Sequence, residues 1–172
     1  MSALTLHMQK MEASLSLVSR SAADFPLQDA ALAGWLNLVA KGLTYVSDAA
    51  LSPYKLHQSD FRALMHLFGN VDNPVSPNEL SVYLAQTPAN VTRITNLLVK
   101  RGLVTRTNST EDRRRVELRI MDAGRQFVIE LLPKFFPPLC KAFSCFSATD
   151  KRELKRLMQR LVKSMDTVID SQ

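Results

Sequence analysis

Residues 76–120 read SPNELSVYLAQTPANVTRITNLLVKRGLVTRTNSTEDRRRVELRI. Two helix starts stand close together in this stretch. Ser76-Pro77-Asn78-Glu79 puts Ser at the N-cap, Pro at the first helical position and Glu at the third. In such a capping box the Ser hydroxyl accepts the Glu79 N–H, and the Glu carboxylate reaches back to the Ser76 N–H. A short helix through Leu80, Val82, Tyr83 and Leu84 follows. Thr87-Pro88 repeats the cap-then-proline pattern, and a second helix runs on to Arg101, where Gly102 suits its left-handed end. Two helices with so tight a link predict a helix-turn-helix. After Gly102 the period changes: Leu103 to Thr107 and Val116 to Ile120 read as strands around a polar, arginine-rich tip at 108–115. A β-hairpin directly behind the second helix makes the unit a winged helix-turn-helix.

The flanks read as helices. Leu4, Met8, Met11, Leu15 and Val18 form an apolar stripe of coiled-coil period. Asp24, before Phe25-Pro26, is expected to cap a long helix carrying Leu32, Trp35, Leu36, Val39, Leu43 and Val46. Pro53 stops it, and Ser59 is expected to cap the next, with Phe61, Leu64, Met65 and Phe68 on its apolar side. Beyond Ile120, Phe127, Val128, Leu131 and Leu132 precede three prolines, Pro133, Pro137 and Pro138, which are expected to break or kink the chain. Ser147 caps a last helix striped by Leu154, Leu157, Met158, Leu161, Val162, Met165 and Val168. The fold class is therefore mainly α (α+β), one domain over 1–172. Residues 59–120 form the winged helix-turn-helix, and 1–50 and 122–172 are dimerisation helices. The terminal stripes are too apolar for free surface, so they are expected to bury against each other and a second subunit in a homodimer.

The net charge of +6 is unevenly placed: residues 87–119 hold eight basic side chains against three acidic ones, nearly the whole excess. Such a cluster is the footprint of a polyanion partner. On the helix from Pro88, Val91, Ile94, Thr95 and Leu98 share one side, and Ala89, Arg93, Asn96 and Lys100 lie opposite. That polar, basic face has the size to enter a major groove, where Arg pairs with guanine and Asn with adenine. Thr87, Asn90 and Thr92 stand near its amino-terminal end, within reach of phosphate or base edges. In the hairpin tip, Arg113, Arg114 and Arg115 suit a narrow minor groove, and Asp112 is expected to pair with a neighbouring Arg and fix the loop. The competing reading of each feature alone is a solvated charged surface; together, behind a helix-turn-helix, they point to double-stranded DNA with a near-palindromic operator.

Glu79-Leu80, Val91-Thr92-Arg93, Lys100-Arg101-Gly102-Leu103-Val104, Asp112-Arg113-Arg114 and Asp122-Ala123-Gly124 resemble the MarR family of bacterial regulators. Asp24-Phe25-Pro26 and Leu131-Leu132-Pro133 are similar to the EmrR-like repressors of multidrug efflux pumps. The resemblance implies a homodimer with interlocked terminal helices, Arg114 as the minor-groove residue, Asp112 as the organiser of the wing and Arg93 as a groove or phosphate contact. It also implies a repressor released by a small lipophilic or phenolic effector. The chain departs from the family at Ile120-Met121, where Leu-Thr is usual, so Asp122 is expected to take over the helix cap.

Trp35, Tyr45, Phe61 and Met65 are candidate linings for an effector pocket, with core packing as their default role. No enzyme is expected: His7, His57 and His66 are scattered without metal-ligand spacing, and no phosphate loop or nucleophile elbow occurs. No cofactor, metal or membrane partner is expected, and the absence of a leader pattern or apolar span points to the cytoplasm. Two alternatives are a winged-helix protein–protein module without DNA binding, and a redox regulator switched through Cys140 and Cys145, the only cysteines.

Overall fold

The structure, a computed structural model, describes residues 3–109, 112 and 114–171. Its helices are α1 (Ala3–Ser21), α2 (Leu27–Leu51), α3 (Gln58–Gly69), α4 (Pro77–Leu84), α5 (Pro88–Lys100), α6 (Asp122–Ala142) and α7 (Ala148–Ile169). A 3-10 turn, Ser52–Tyr54, links α2 to α3, and strands β1 (Val104–Asn108) and β2 (Val116–Ile120) form the hairpin. The chain divides into two compact units, Met1–Phe135 and Phe136–Gln172, the division falling within α6.

The order of elements is that of a winged helix-turn-helix. β1 and β2 pair antiparallel from Val104↔Ile120 to Asn108↔Val116. Val75 exchanges both backbone hydrogen bonds with Leu118, at 3.0 and 2.9 Å, so the segment before α4 adds a third, one-residue rung to the wing. Leu64 and Leu67 of α3, Leu80 and Leu84 of α4, Ile94 and Leu98 of α5 and Leu118 of β2 lose essentially all exposure. Each such side chain contributes roughly 1.5–3 kcal/mol by leaving water, and this core holds α5 in place. Two glycines are required. Gly102 has φ +67° just past α5. A Cβ on Gly124 would stand 2.2 Å from the carbonyl oxygen of Leu103, so only glycine lets α6 start against the wing.

Four expectations about helix boundaries are corrected. Pro26, not Asp24, occupies the α2 cap and makes no side-chain cap bond. Its carbonyl already accepts the Ala30 N–H at 2.9 Å, which moves the start beyond the reach of Asp24. α3 begins at Gln58 with His57 at the cap, because the Asp60 carboxylate accepts the His57 N–H at 2.9 Å and outcompetes the Ser59 hydroxyl. Met121 precedes the first helical residue of α6 and its carbonyl accepts the Arg125 N–H at 2.9 Å, so Asp122 lies inside the helix, paired with Arg125. The three prolines do not interrupt α6, which is continuous from Asp122 to Ala142. Each proline removes one helix bond at about 3 kcal/mol or more, and the burial of Val128, Leu131 and Phe135 on one face opposes that loss. The capping box at Ser76 and the Ser147 cap form as expected, and at Ser147 the Asp150 carboxylate completes a second box.

Candidate nucleic-acid interface

Thr87 caps α5, its hydroxyl accepting the Asn90 N–H at 3.3 Å. The preceding turn is tight: Ala85 adopts a left-handed φ of 51°, and the Ser81 hydroxyl donates to the Gln86 carbonyl at 2.6 Å. Val91, Ile94, Thr95 and Leu98 are the buried residues of α5. Thr87, Ala89, Thr92, Arg93, Asn96 and Lys100 are exposed and Asn90 half-buried, so the seven candidate contacts all lie off the core face.

They differ in how free they are. Asn90 donates through Nδ2 to Gln86 Oε1 and accepts from Arg93 Nε at 2.8 Å. Arg93 Nη2 donates at 2.9 Å to Asp60 Oδ1, and Asp60 has no exposed surface. The other Asp60 oxygen takes the His57 N–H, so this buried carboxylate is paired on both sides. Thr92 turns its hydroxyl back to the Pro88 carbonyl at 2.9 Å. The side chains of Asn96 and Lys100, by contrast, have no intramolecular polar partner among the described residues. The amino-terminal half of the outer face is thus tied to the fold, and the carboxy-terminal half is open. The sequence reading missed Asp60. Its signal was a single acid directly ahead of the core residue Phe61 in an otherwise apolar-faced helix.

The wing tip is built by the Asp112 side chain together with backbone bonds. Asp112 Oδ1 accepts the Arg114 N–H at 3.0 Å, and the Asp112 carbonyl accepts the Arg115 N–H at 2.8 Å. The Ser109 N–H closes the loop onto the Arg115 carbonyl at 2.8 Å. Arg114 and Arg115 are exposed; Arg113, also a candidate, lies outside the described residues. At the start of α4 the Ser76 N–H and hydroxyl hold the Glu79 carboxyl below its ordinary value, and the nearby charges of Arg115 and His66 add to this.

The four candidate pocket residues differ in burial. Phe61 is in the core, its ring 4.5 Å from that of Phe135. Trp35 and Met65 are half-buried. Tyr45 is exposed and lines an open cleft of about 500 Å³ with Asp48, Ala49, Ser52, Lys55, Leu56 and His57. Among the described residues no three or more His, Cys, Asp or Glu side chains are grouped to hold a metal, and no helix is long and apolar enough to cross a membrane. Cys140 and Cys145 are both exposed.

A MarR family profile matches residues 54–115, from the turn before α3 to the wing tip. The chain is 30% identical over 143 residues to the transcriptional repressor MprA of Escherichia coli K12, covering 83% of this chain and 81% of that protein. The chain belongs to the MarR family. A second relative, the HTH-type transcriptional repressor YetL of Bacillus subtilis 168, is 24% identical over 132 residues, covering 77% of this chain and 79% of its own. Solved structures share the MarR-family fold. S. aureus MepR in a DNA complex superposes with a TM-score of 0.69 at 16% identity, over 76% of this chain and 95% of its own. A cysteine-to-serine variant of E. coli MarR with operator DNA gives 0.68 at 19% identity, over 76% and 92%.

Proposed function

We propose that this MarR-family chain is a sequence-specific double-stranded DNA-binding transcriptional repressor. It works in the cytoplasm as a homodimer and leaves its operator when a small lipophilic or phenolic ligand binds. One observation carries the reading: α5 buries Val91, Ile94, Thr95 and Leu98 and leaves a polar face from Thr87 to Lys100 beside an arginine-bearing wing. An α-helix fits the major groove of B-DNA, roughly 12 Å wide. Asn96 is the free side chain suited to a bidentate adenine contact, and Lys100 to guanine or phosphate. Thr87, Ala89, Asn90 and Thr92 approach the backbone at the helix start, where free N–H groups favour anions. Arg114, with Arg113 and Arg115, enters the adjacent minor groove, shaped by Asp112. The cleft beside Tyr45 is the place offered to the effector; its lining does not include Trp35, Phe61 or Met65. The names of MprA and YetL, both repressors, support this reading.

A gel shift on the protein's own promoter region is the test. A retarded complex that survives excess non-specific duplex is expected. No retarded complex would return the chain to the protein–protein alternative, and equal competition by any duplex would overturn sequence specificity.

A further inference from the structure

We infer that Arg101 is a positioning residue that locks the end of the reading helix to α6, and so sets the half-site spacing the protein accepts. The inference rests on the proposed DNA reading and goes beyond it. By charge alone Arg101 would be counted with the phosphate-binding side chains of 87–119. It is exposed, but its contacts are with the protein's own residues. Arg101 is the C-cap of α5. Its Nη1 donates at 2.8 Å to the backbone carbonyl of Tyr54, in the turn that follows α2. The guanidinium carbon lies 5.4 Å from the ring centroid of Phe127, on α6. The Tyr54 and Phe127 rings meet edge to face, at 6.0 Å and 80°. Lys134, two turns further along α6, places its ammonium 5.7 Å from the Tyr54 ring centroid.

Three separate stretches therefore meet on one guanidinium: the end of α5, the turn after α2 and the first half of α6. The chemistry calls for arginine. A planar fork stacks on a ring face and donates in its own plane at once, which a lysine ammonium does not do. The Tyr54 carbonyl ends a short helical turn, a position that lacks an intrahelical partner, and Arg101 supplies one. Lys100, next in the chain, has no such tie. In the proposed dimer α6 leads from the reading head towards α7, so the angle between α5 and α6 decides where the two reading helices fall. One base-pair step moves a half-site by about 3.4 Å and rotates it by about a tenth of a turn. A firm latch makes affinity steep in spacing, and a loose one makes it flat.

The test uses the full chain and a duplex selected from random sequence by the parent protein. Fluorescence anisotropy compares that operator with versions having one base pair added or removed between half-sites, and with an isolated half-site. The parent is expected to lose about tenfold or more for each spacing change, the scale of a mismatch. Arg101→Gln is expected to reduce that penalty to about threefold or less, with half-site affinity and salt slope kept. Phe127→Leu, which removes no charge, is expected to flatten the profile likewise. It carries the test if Arg101→Gln does not fold, thermal unfolding being followed for each variant. Arg101→Lys keeps the charge and should restore the steepness only in part. Uniform weakening of every duplex by Arg101→Gln, with the salt slope lowered by about one unit per subunit, would make Arg101 a phosphate contact and overturn the inference. So would spacing profiles identical to the parent. A parent protein that shows no preference for any duplex would overturn the DNA reading itself and the inference with it.

Discussion

Asp60 has no exposed surface, and the guanidinium that neutralises it belongs to a half-exposed residue of the reading helix, Arg93. Removing one partner of such a pair leaves a carboxylate away from both water and its cation. Arg93→Ala should therefore destabilise the fold by about 3 kcal/mol, the lower end for a buried pair because the arginine is only half covered. Urea unfolding midpoints check this, and Arg93→Lys should recover part of the loss. Base preference should change little, since the Nε and one Nη of Arg93 already serve Asn90 and Asp60. Asn96 is the opposite case. Its side chain carries no intramolecular bond, so Asn96→Ala should leave unfolding unchanged and relax preference at one or two base pairs, at a cost of about 1–3 kcal/mol. Titration against single-base operator variants separates the two residues. Equal loss on every variant would make Asn96 a backbone contact.

The cap boxes show what an element takes from a few residues. The Ser76 N–H donates to Glu79 Oε2 at 2.7 Å, and the Glu79 N–H donates to the Ser76 hydroxyl at 3.2 Å. Ser76→Ala should cost about 1 kcal/mol. The Glu79 half has a pH signature. Its folded carboxyl is held below the ordinary 4.5, first by the Ser76 N–H. A depressed acid stabilises fully above its unfolded value and stops doing so as pH falls through the folded one. The stability gap between parent and Glu79→Ala should thus be constant near neutrality and shrink below about pH 4.5. Chemical denaturation at stepped pH measures it, and a gap that widens in acid would refute the box. This motif was legible in the sequence because both partners lie within four residues and the signal is local. So were the core face of α5 and the register-bearing strand Val116–Ile120, which follow from period alone. What escaped was set at a distance. His57 displaced Ser59 as the cap because Asp60 is fixed by Arg93, thirty-three positions away. α6 runs through Pro133 because Val128, Leu131 and Phe135 find a core that no local rule records. Arg101 and Arg114 look alike as letters in a basic run and both are exposed, and only the fold ties the first to the Tyr54 carbonyl and the Phe127 ring.

On the scale of the whole molecule, many large apolar side chains stand exposed within the protomer. α7 spans Ala148–Ile169, is well capped by Ser147, and buries no residue within the protomer. Leu157, Met158, Leu161, Val162, Met165 and Val168 are between 38% and 58% exposed, at spacings that put them along one side of the helix. α1 likewise buries none of its residues. Each large apolar side chain left in water forgoes roughly 1.5–3 kcal/mol, so a second copy of this chain that covers even part of the stripe gains more than the entropy of ordering a few side chains. Leu157→Glu with Leu161→Glu puts two charges into that seam. The parent chain should sediment as a dimer at micromolar concentration and the double variant as a monomer, with helix content kept by circular dichroism. DNA binding should then change in kind as well as strength. A twofold dimer presents two reading helices to half-sites about one helical turn apart, roughly 10 base pairs. A monomer engages one. The double variant should therefore bind the full operator no better than an isolated half-site, and its salt slope should fall to about half that of the parent, because only one subunit displaces counterions. A double variant that remains dimeric would move the interface away from α7. A monomer that keeps the parent's affinity and slope would show that the second reading helix contributes nothing to operator binding.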